Sequence, residues 1–315
     1  MNSYVIGIDL GGTKICGALA DLDGNILIKK TIATEANSGE EHILNRIISV
    51  IEDLKIEGKV EEGQLKSIGI GSPGPLDSVK GTIIEASNLP FKNFNLVNPI
   101  SEKFNVPAYL QNDANVAALG EHLLGAGKGT NNMVYITVST GIGGGAIING
   151  KLYSGNTCNA LEIGHTTIVP DGPRCNCGNY GCIEAVASGT AIAKRAKEAI
   201  ERREKTSLSS YENVTSFEVF KEEKNGDKVA KSILDEALNY LGIGIANVVN
   251  IFDPEMIVIG GGVSKGGDIV FDTVKKVVKE RSLKAMAESC RIEPAKLGGD
   301  AGVSGAVALA LSEIK

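Results

Sequence analysis

The sequence predicts an α/β protein with a duplicated core. Two observations carry that prediction. Apolar strand patterns alternate with helical ones along the chain. A unit of strand, glycine turn, strand and tight turn also occurs twice, at residues 4–33 and 133–153. The first copy reads as an apolar strand at Tyr4–Leu10, a Gly-Gly turn, a strand at 15–20, an Asp23-Gly24 turn and a third strand. The second reads as Met133–Val138, then Thr140-Gly141 with Gly143 to Gly145 as a loop, a strand at 146–148, an Asn149-Gly150 turn and Leu152. Asp-Gly and Asn-Gly between apolar runs are strong hairpin signals. Two similar halves facing each other are expected.

Helical patterns follow each copy. Residues 40–54 place Ile43, Leu44, Ile47, Ile48 and Ile51 on one stripe. A short helix is expected over 113–124, and one continuous helix over 182–201. The longest spans Lys228–Phe252 and stops at Asp253-Pro254, where proline ends the pattern. Residues 256–259 form a buried strand that runs into Gly260-Gly261-Gly262, before another helix. Residues 301–311 are a helix of small apolar residues, and 203–228 read as a polar surface excursion.

The chain has 315 residues, 43% of them hydrophobic, which is enough for two domains with their own cores. Its net charge of −6 argues against nucleic acid or an anionic membrane as partner. A bound polyphosphate must then be neutralised locally, by backbone N–H groups and a metal ion. Residues 1–12 meet Asp9 too early for a signal peptide, and no apolar run reaches membrane length. A cytoplasmic location is expected.

Three glycine-rich runs follow apolar strands: Asp9-Leu-Gly11-Gly12-Thr13-Lys14, Thr140-Gly141-Ile-Gly-Gly-Gly145 and Gly260-Gly261-Gly262. Glycines let backbone amides approach phosphate oxygens. The first run is followed by a strand, so neither a dinucleotide-binding fingerprint nor a Walker loop fits. One such run is an ordinary turn; three at strand ends point to phosphate binding. Asn112-Asp113 follows a strand at 108–110. On this segment alone a helix cap is the simpler reading, and the surrounding motifs favour a general base.

The most informative stretch is Glu162-x-x-His165 through Cys175-x-Cys177-Gly-x-x-Gly-Cys182-x-Glu184. Cys175 and Cys177 are too close for an ordinary disulfide, and three Cys with one His suit a closed tetrahedral zinc site. An iron–sulfur cluster would call for four Cys. Glu162 and Glu184 bracket the set. Cys16, Cys158 and Cys290 are scattered and read as small buried apolar groups.

With these motifs placed, the chain resembles the ROK family of sugar kinases and repressors. Further motifs carry the likeness: Gly69-x-Gly-Ser-Pro-Gly-Pro75, Asn88-Leu89-Pro90 and Leu297-Gly298-x-x-Ala301-Gly302-x-x-Gly305-Ala306. The resemblance is closest to the family's bacterial ATP-dependent glucokinases. It implies an actin/hexokinase-like (ribonuclease H-like) two-lobe ATPase fold with a duplicated core. The lobes it implies are 1–112 plus 302–315, smaller, and 113–301, larger, with a zinc-binding segment at 165–182. It implies transfer of the ATP γ-phosphate to the 6-hydroxyl of glucose, an entry step of glycolysis. Asp113 would be the base. Asn88, Asn112, Glu162, His165 and Glu184 would join Asp113 in binding the sugar. Asp9 would position Mg²⁺. Gly11, Gly12, Thr13, Lys14, Thr140 and Gly141 would surround the phosphates, and Gly261 and Gly262 would lie against the nucleoside. His165, Cys175, Cys177 and Cys182 would hold structural zinc, and a homodimer or homotetramer is implied. In four places the chain departs from the family's usual residues: Cys158 for Gly, Leu161 for a small residue, Ser139 for Gly, and Phe91 for Gly.

The alternatives differ in class. A kinase for an N-acetylhexosamine, mannose or fructose would share these motifs. A sugar-responsive repressor of the same family would carry a helix-turn-helix region, for which the strand starting at Tyr4 leaves no room. A silent sugar-binding scaffold would not need Asp9, Thr13 and Asp113.

Overall fold

The structure is a computed structural model that describes residues 2–86 and 88–314. The first copy of the repeat forms strands β1 (Tyr4–Leu10), β2 (Lys14–Asp21) and β3 (Ile26–Ala33). Helix α1 (Glu40–Glu57) follows, then β4 (Leu65–Ser72). A small antiparallel sheet of β5 (Leu76–Asp77), β6 (Thr82–Glu85) and β7 (Lys92–Asn95) precedes helix α2 (Val97–Phe104) and strand β8 (Ala108–Asn112). Helix α3 (Asp113–Leu123) starts at once. The second copy gives β9 (Met133–Val138), β10 (Ile142–Ile148) and β11 (Lys151–Leu152). Helices α4 (Ile183–Ala187), α5 (Gly189–Glu201), α6 (Ser216–Lys224) and α7 (Lys228–Phe252) come next. Strand β12 (Met256–Gly260), helices α8 (Asp268–Arg281) and α9 (Lys284–Ser289), strand β13 (Arg291–Pro294) and helix α10 (Ala301–Ser312) complete the chain.

The duplication is topological. One five-stranded sheet has the order β3-β2-β1-β4-β8 and the other β11-β10-β9-β12-β13. In each, a meander of three strands is extended by two parallel strands. This is the α/β duplicated core that the sequence predicts.

Contacts divide the chain into two units, 1–129 with 145–160 and 296–315, and 130–144 with 161–295. Residues 113–129, 145–160 and 296–301, assigned from sequence to the larger lobe, pack here with the first unit. The reason is helix packing. A Cβ at Gly120 of α3 would stand 2.9 Å from the Gly305 Cα of α10, so the two backbones nearly touch. Helix α10 also lies directly on the first sheet. A Cβ at Gly7 would meet the Val307 amide nitrogen at 2.4 Å, and one at Gly69 the Ala306 carbonyl at 2.1 Å. The opposite side of that sheet is covered by the apolar stripe of α1, with Ile43, Ile47, Ile51 and Leu54 fully buried beside Ile8, Ile15 and Leu19. Each such side chain contributes roughly 1.5–3 kcal/mol. In the second unit α7 buries Leu234, Leu238, Leu241, Ile245 and Val249.

Three local expectations are corrected. The helix over 182–201 is two helices, because the Ser188 side chain accepts the Ala191 amide and caps a new start. Gly143 to Gly145 form part of strand β10, not a loop. A Cβ at Gly145 would crowd Ala118 and the Ala114 carbonyl, and one at Gly144 the Leu161 carbonyl. The polar excursion at 203–228 contains α6, closed by a capping box of Thr215 and Glu218. No helix among the described residues is long and apolar enough to cross a membrane. Cys16 and Cys158 are buried as expected, whereas Cys290 is only half-buried.

Candidate functional site

In the first unit, Asp9 lies one residue before the end of β1 and the turn Gly11-Gly12-Thr13 follows. The Gly11 amide donates to the Lys14 carbonyl at 3.0 Å, and Thr34 donates to the carbonyls of Gly11 and Thr13, fixing the turn. Asn88 lies over it: a Cβ at Gly12 would stand 2.8 Å from the Asn88 Cβ. Behind Asp9, a Cβ at Gly302 would meet the carboxylate at 2.5 Å. Burial raises the Asp9 pKa, the Lys14 charge lowers it, and the negative charge of Asp113 adds to the rise. These two carboxylates therefore share one electrostatic neighbourhood.

Asp113 is the first residue of α3, at the end of β8. Asn112 caps the helix, accepting from the Ala114 amide at 2.9 Å, and Asp113 Oδ1 accepts the same amide at 2.7 Å. The cap reading and the site reading thus hold together. The Asp113 side chain keeps an exposed face, yet crowding by protein raises its pKa through desolvation, against the opposing hydrogen bond from Ala114. Its solvent contact limits that rise.

In the second unit, Ser139-Thr140-Gly141 makes the turn between β9 and β10. The Ser139 carbonyl accepts the Gly189 amide at the start of α5 at 2.8 Å. Glu184 Oε2 accepts the Ile142 amide at 2.9 Å, and a Cβ at Gly141 would stand 2.3 Å from that oxygen. Gly261 has φ of 88°, and its Cβ would strike the Val138 carbonyl at 2.3 Å, so only glycine fits. Thr140 and Gly262 line a cavity of 630 Å³ together with Thr190, Lys194 and Lys197.

The four predicted metal ligands converge. The ligand atoms of His165, Cys175, Cys177 and Cys182 all lie within 4.8 Å of one another. Cys177 and Cys182 sulfurs are 3.7 Å apart, as are Cys175 Sγ and His165 Nδ1. A tetrahedral zinc with Zn–S bonds near 2.3 Å sets sulfurs about 3.8 Å apart, so the donors fit. The knuckle closes because Gly178 and Gly181 adopt φ of 94° and 64°. Without a cation, burial pushes the Cys182 thiol up to about 12. A coordinated thiol is deprotonated outright. His165 turns Nδ1 to this cluster and Nε2 to Glu162, at 3.9 Å from Oε2. Cys175 Sγ also lies 3.9 Å from Glu184 Oε1.

The predicted residues fall into one set per unit. Asp9, Gly11, Gly12, Thr13, Lys14, Asn88, Asn112 and Asp113 belong to the first; Thr140, Gly141, Glu162, His165, Cys175, Cys177, Cys182, Glu184, Gly261 and Gly262 belong to the second. Among the departures, Cys158 and Leu161 have φ of 62° and 66°, the backbone region that favours glycine. Ser78 Oγ donates to Cys158 Sγ at 2.9 Å. Phe91 is buried and packs on Phe94. Sequence reading missed Gln111, which accepts the Asn112 amide at 2.9 Å and donates to Ser154 at 3.1 Å. It also missed Thr190, Lys194 and Lys197, whose spacing on one face of α5 was the available signal. A separate cavity of 730 Å³, lined by Tyr109, Gln111, His122 and Leu309 among others, contains none of the predicted site residues.

Comparison with known proteins gives a consistent answer. A glucokinase of Halalkalibacterium halodurans is 39% identical over 308 residues, covering 96% of this chain and 93% of its own. A xylose repressor of Caldicellulosiruptor bescii is 34% identical, covering 98% of this chain and 78% of its own. The structure of a ROK family glucokinase from Streptomyces griseus, in complex with glucose and AMPPNP, superposes with a TM-score of 0.77 at 33% identity, covering 98% of this chain and 100% of its own. The ROK family profile matches residues 5–313, and with the glycine turns, the Asn112-Asp113 junction and the Cys–His knuckle in place, the chain belongs to the ROK family.

Proposed function

We propose that this chain is an ATP-dependent sugar kinase that converts glucose to glucose 6-phosphate. The observation that carries the reading is Asp113, a carboxylate at a strand–helix junction whose pKa burial raises and whose charge reaches Asp9. A raised but still ionisable carboxylate is a stronger base at neutral pH. Asp113 takes the proton of the 6-hydroxyl as that oxygen attacks the γ-phosphorus and ADP leaves. Phosphoryl transfer asks chiefly for positioning and charge stabilisation. The turn amides of Gly12 and Thr13 and of Thr140 and Gly141 receive phosphate oxygens, Gly11 shapes the first turn through its bond to the Lys14 carbonyl, and Lys14 adds charge. Asp9 holds the Mg²⁺ that accompanies ATP. Gly261 and Gly262 leave room for the nucleoside.

Asn88, Asn112, Glu162, His165 and Glu184 hydrogen-bond the remaining sugar hydroxyls. Glu184 spends Oε2 on the Ile142 amide, which leaves Oε1 for the sugar. His165, Cys175, Cys177 and Cys182 hold zinc, which supplies rigidity rather than a nucleophile in a closed four-ligand site. The glucokinase likenesses support glucose and ATP as substrates. The same reading implies a cytoplasmic dimer or tetramer feeding glycolysis; light scattering on the purified protein checks the assembly.

A coupled assay over a hexose panel, with ATP and polyphosphate as donors, tests the proposal. Glucose with ATP should give the highest kcat/KM. Better turnover of an N-acetylhexosamine, mannose or fructose would reassign the sugar. The repressor relative favours a second reading, in which the sugar site controls DNA binding. Tight binding to a specific operator without kinase activity would establish it.

A further inference from the structure

Glu121 lies eight residues after Asp113 on α3 and is fully buried. Its carboxylate accepts three backbone amides. Oε2 takes Ala126 at 2.8 Å and Lys296 at 3.1 Å, and Oε1 takes Leu297 at 2.8 Å. Its own carbonyl accepts Gly127 at 2.8 Å. Gly125 makes the room, since a Cβ there would stand 2.2 Å from Oε2.

The places it grips are not arbitrary. The chain passes between the two units at 129–130, 144–145, 160–161 and 295–296. Ala126 lies just before the first of these passages, and Lys296 begins the segment after the last. One carboxylate thus fastens two of the four connecting segments to the helix that begins with Asp113. Hydrogen bonds to a carboxylate are about twice as strong as neutral ones, and a buried carboxylate that loses such partners is costly.

We infer that Glu121 is a positioning residue: it fixes, relative to the helix bearing the base, where two connecting segments leave the first unit. Residues 126–127 and 296–297 are thereby held to α3 within the first unit. The catalytic consequence rests on the proposed phosphoryl transfer; the fastening itself does not.

Glu121→Gln keeps the volume and sets an NH₂ group against an amide donor. Hydrogen exchange on the sugar-free protein should speed up roughly ten- to hundred-fold at 125–127 and 296–297. Residues 114–119 of α3 and strand β1 should stay protected. In the hexose assay kcat should fall roughly ten- to hundred-fold, with KM changing much less. Gly125→Ala displaces the carboxylate without removing it and should produce a milder version of both effects. Exchange that is unchanged at those amides, or faster by one factor across the whole first unit, would overturn the inference. So would wild-type kcat in a variant with locally loosened segments. If the unaltered protein phosphorylates no hexose, the kinase reading fails on its own, and the exchange pattern still decides the fastening.

Discussion

The two glycine turns occupy equivalent places in the duplicated sheets, yet they are held by different means. The first, between β1 and β2, is fixed without the metal ligands: Thr34 bonds its carbonyls, Asn88 lies across Gly12, and Gly302 backs Asp9. The second, between β9 and β10, hangs on the segment that follows the Cys–His knuckle. Its Ile142 amide is held by Glu184, two residues beyond the metal ligand Cys182, and its Ser139 carbonyl by the start of α5. Duplication copied the backbone. The side chains then made one turn independent of the knuckle and the other dependent on it.

The largest test removes the base from the side that is independent of the knuckle. Asp113→Asn should lower kcat by roughly 10²–10⁴-fold. It keeps the Oδ1 acceptor for Ala114, so the helix start should survive. Stability should rise at neutral pH. A carboxylate whose folded pKa is raised favours the fold while protonated and loses that contribution as pH rises through the folded value. Melting temperatures of both proteins across pH check the sign.

Breaking the dependent side should cost less. Cys177→Ser, or removal of zinc by a chelator, should reduce activity by roughly ten- to hundred-fold. Hydrogen exchange should quicken at 139–142 and not at 11–13, which metal analysis and mass spectrometry can establish together. Equal loosening of both turns would contradict the contrast. Glu184→Gln is finer still. It keeps the shape but weakens the acceptor of the Ile142 amide, so kcat/KM for sugar should fall by about ten-fold, roughly the worth of one hydrogen bond to a charged group. The smallest effect is in the pH profile. The acid limb of kcat/KM should lie above the ordinary aspartate value of 3.8, because desolvation raises Asp113. A limb at or below that value would remove Asp113 as the base.

Much of this was legible because the signals were local. Helix α7 was placed to the residue by its apolar stripe and the Asp253-Pro254 stop. The knuckle was legible from ligand spacing, and the Asn112 cap from its position after a strand. What escaped depended on partners far along the chain. The break at Ser188 lies inside an unbroken apolar pattern, and only the cap bond reveals it. Gly143 to Gly145 read as a loop because glycine usually marks one; here they are strand residues stripped of side chains to admit α3 and the 161–163 segment. The roles of Gln111 and Glu121 rest on amides and hydroxyls that no spacing rule connects to them. The positive φ at Cys158 and Leu161 explains why glycine or a small residue is usual there, which the sequence alone could only mark as a departure.

The bare faces of Gly7 and Gly69, on which α10 rests, have a consequence for biosynthesis. The helix that seals one side of the first sheet is encoded well after the strands beneath it. A nascent chain leaving the ribosome must therefore carry an uncovered apolar surface from the completion of β8 at Asn112 until α10 at Ala301–Ser312 emerges, while the intervening unit can already condense. Maturation of the aspartate-bearing half waits for α10, and anything that delays that helix prolongs the interval in which aggregation competes.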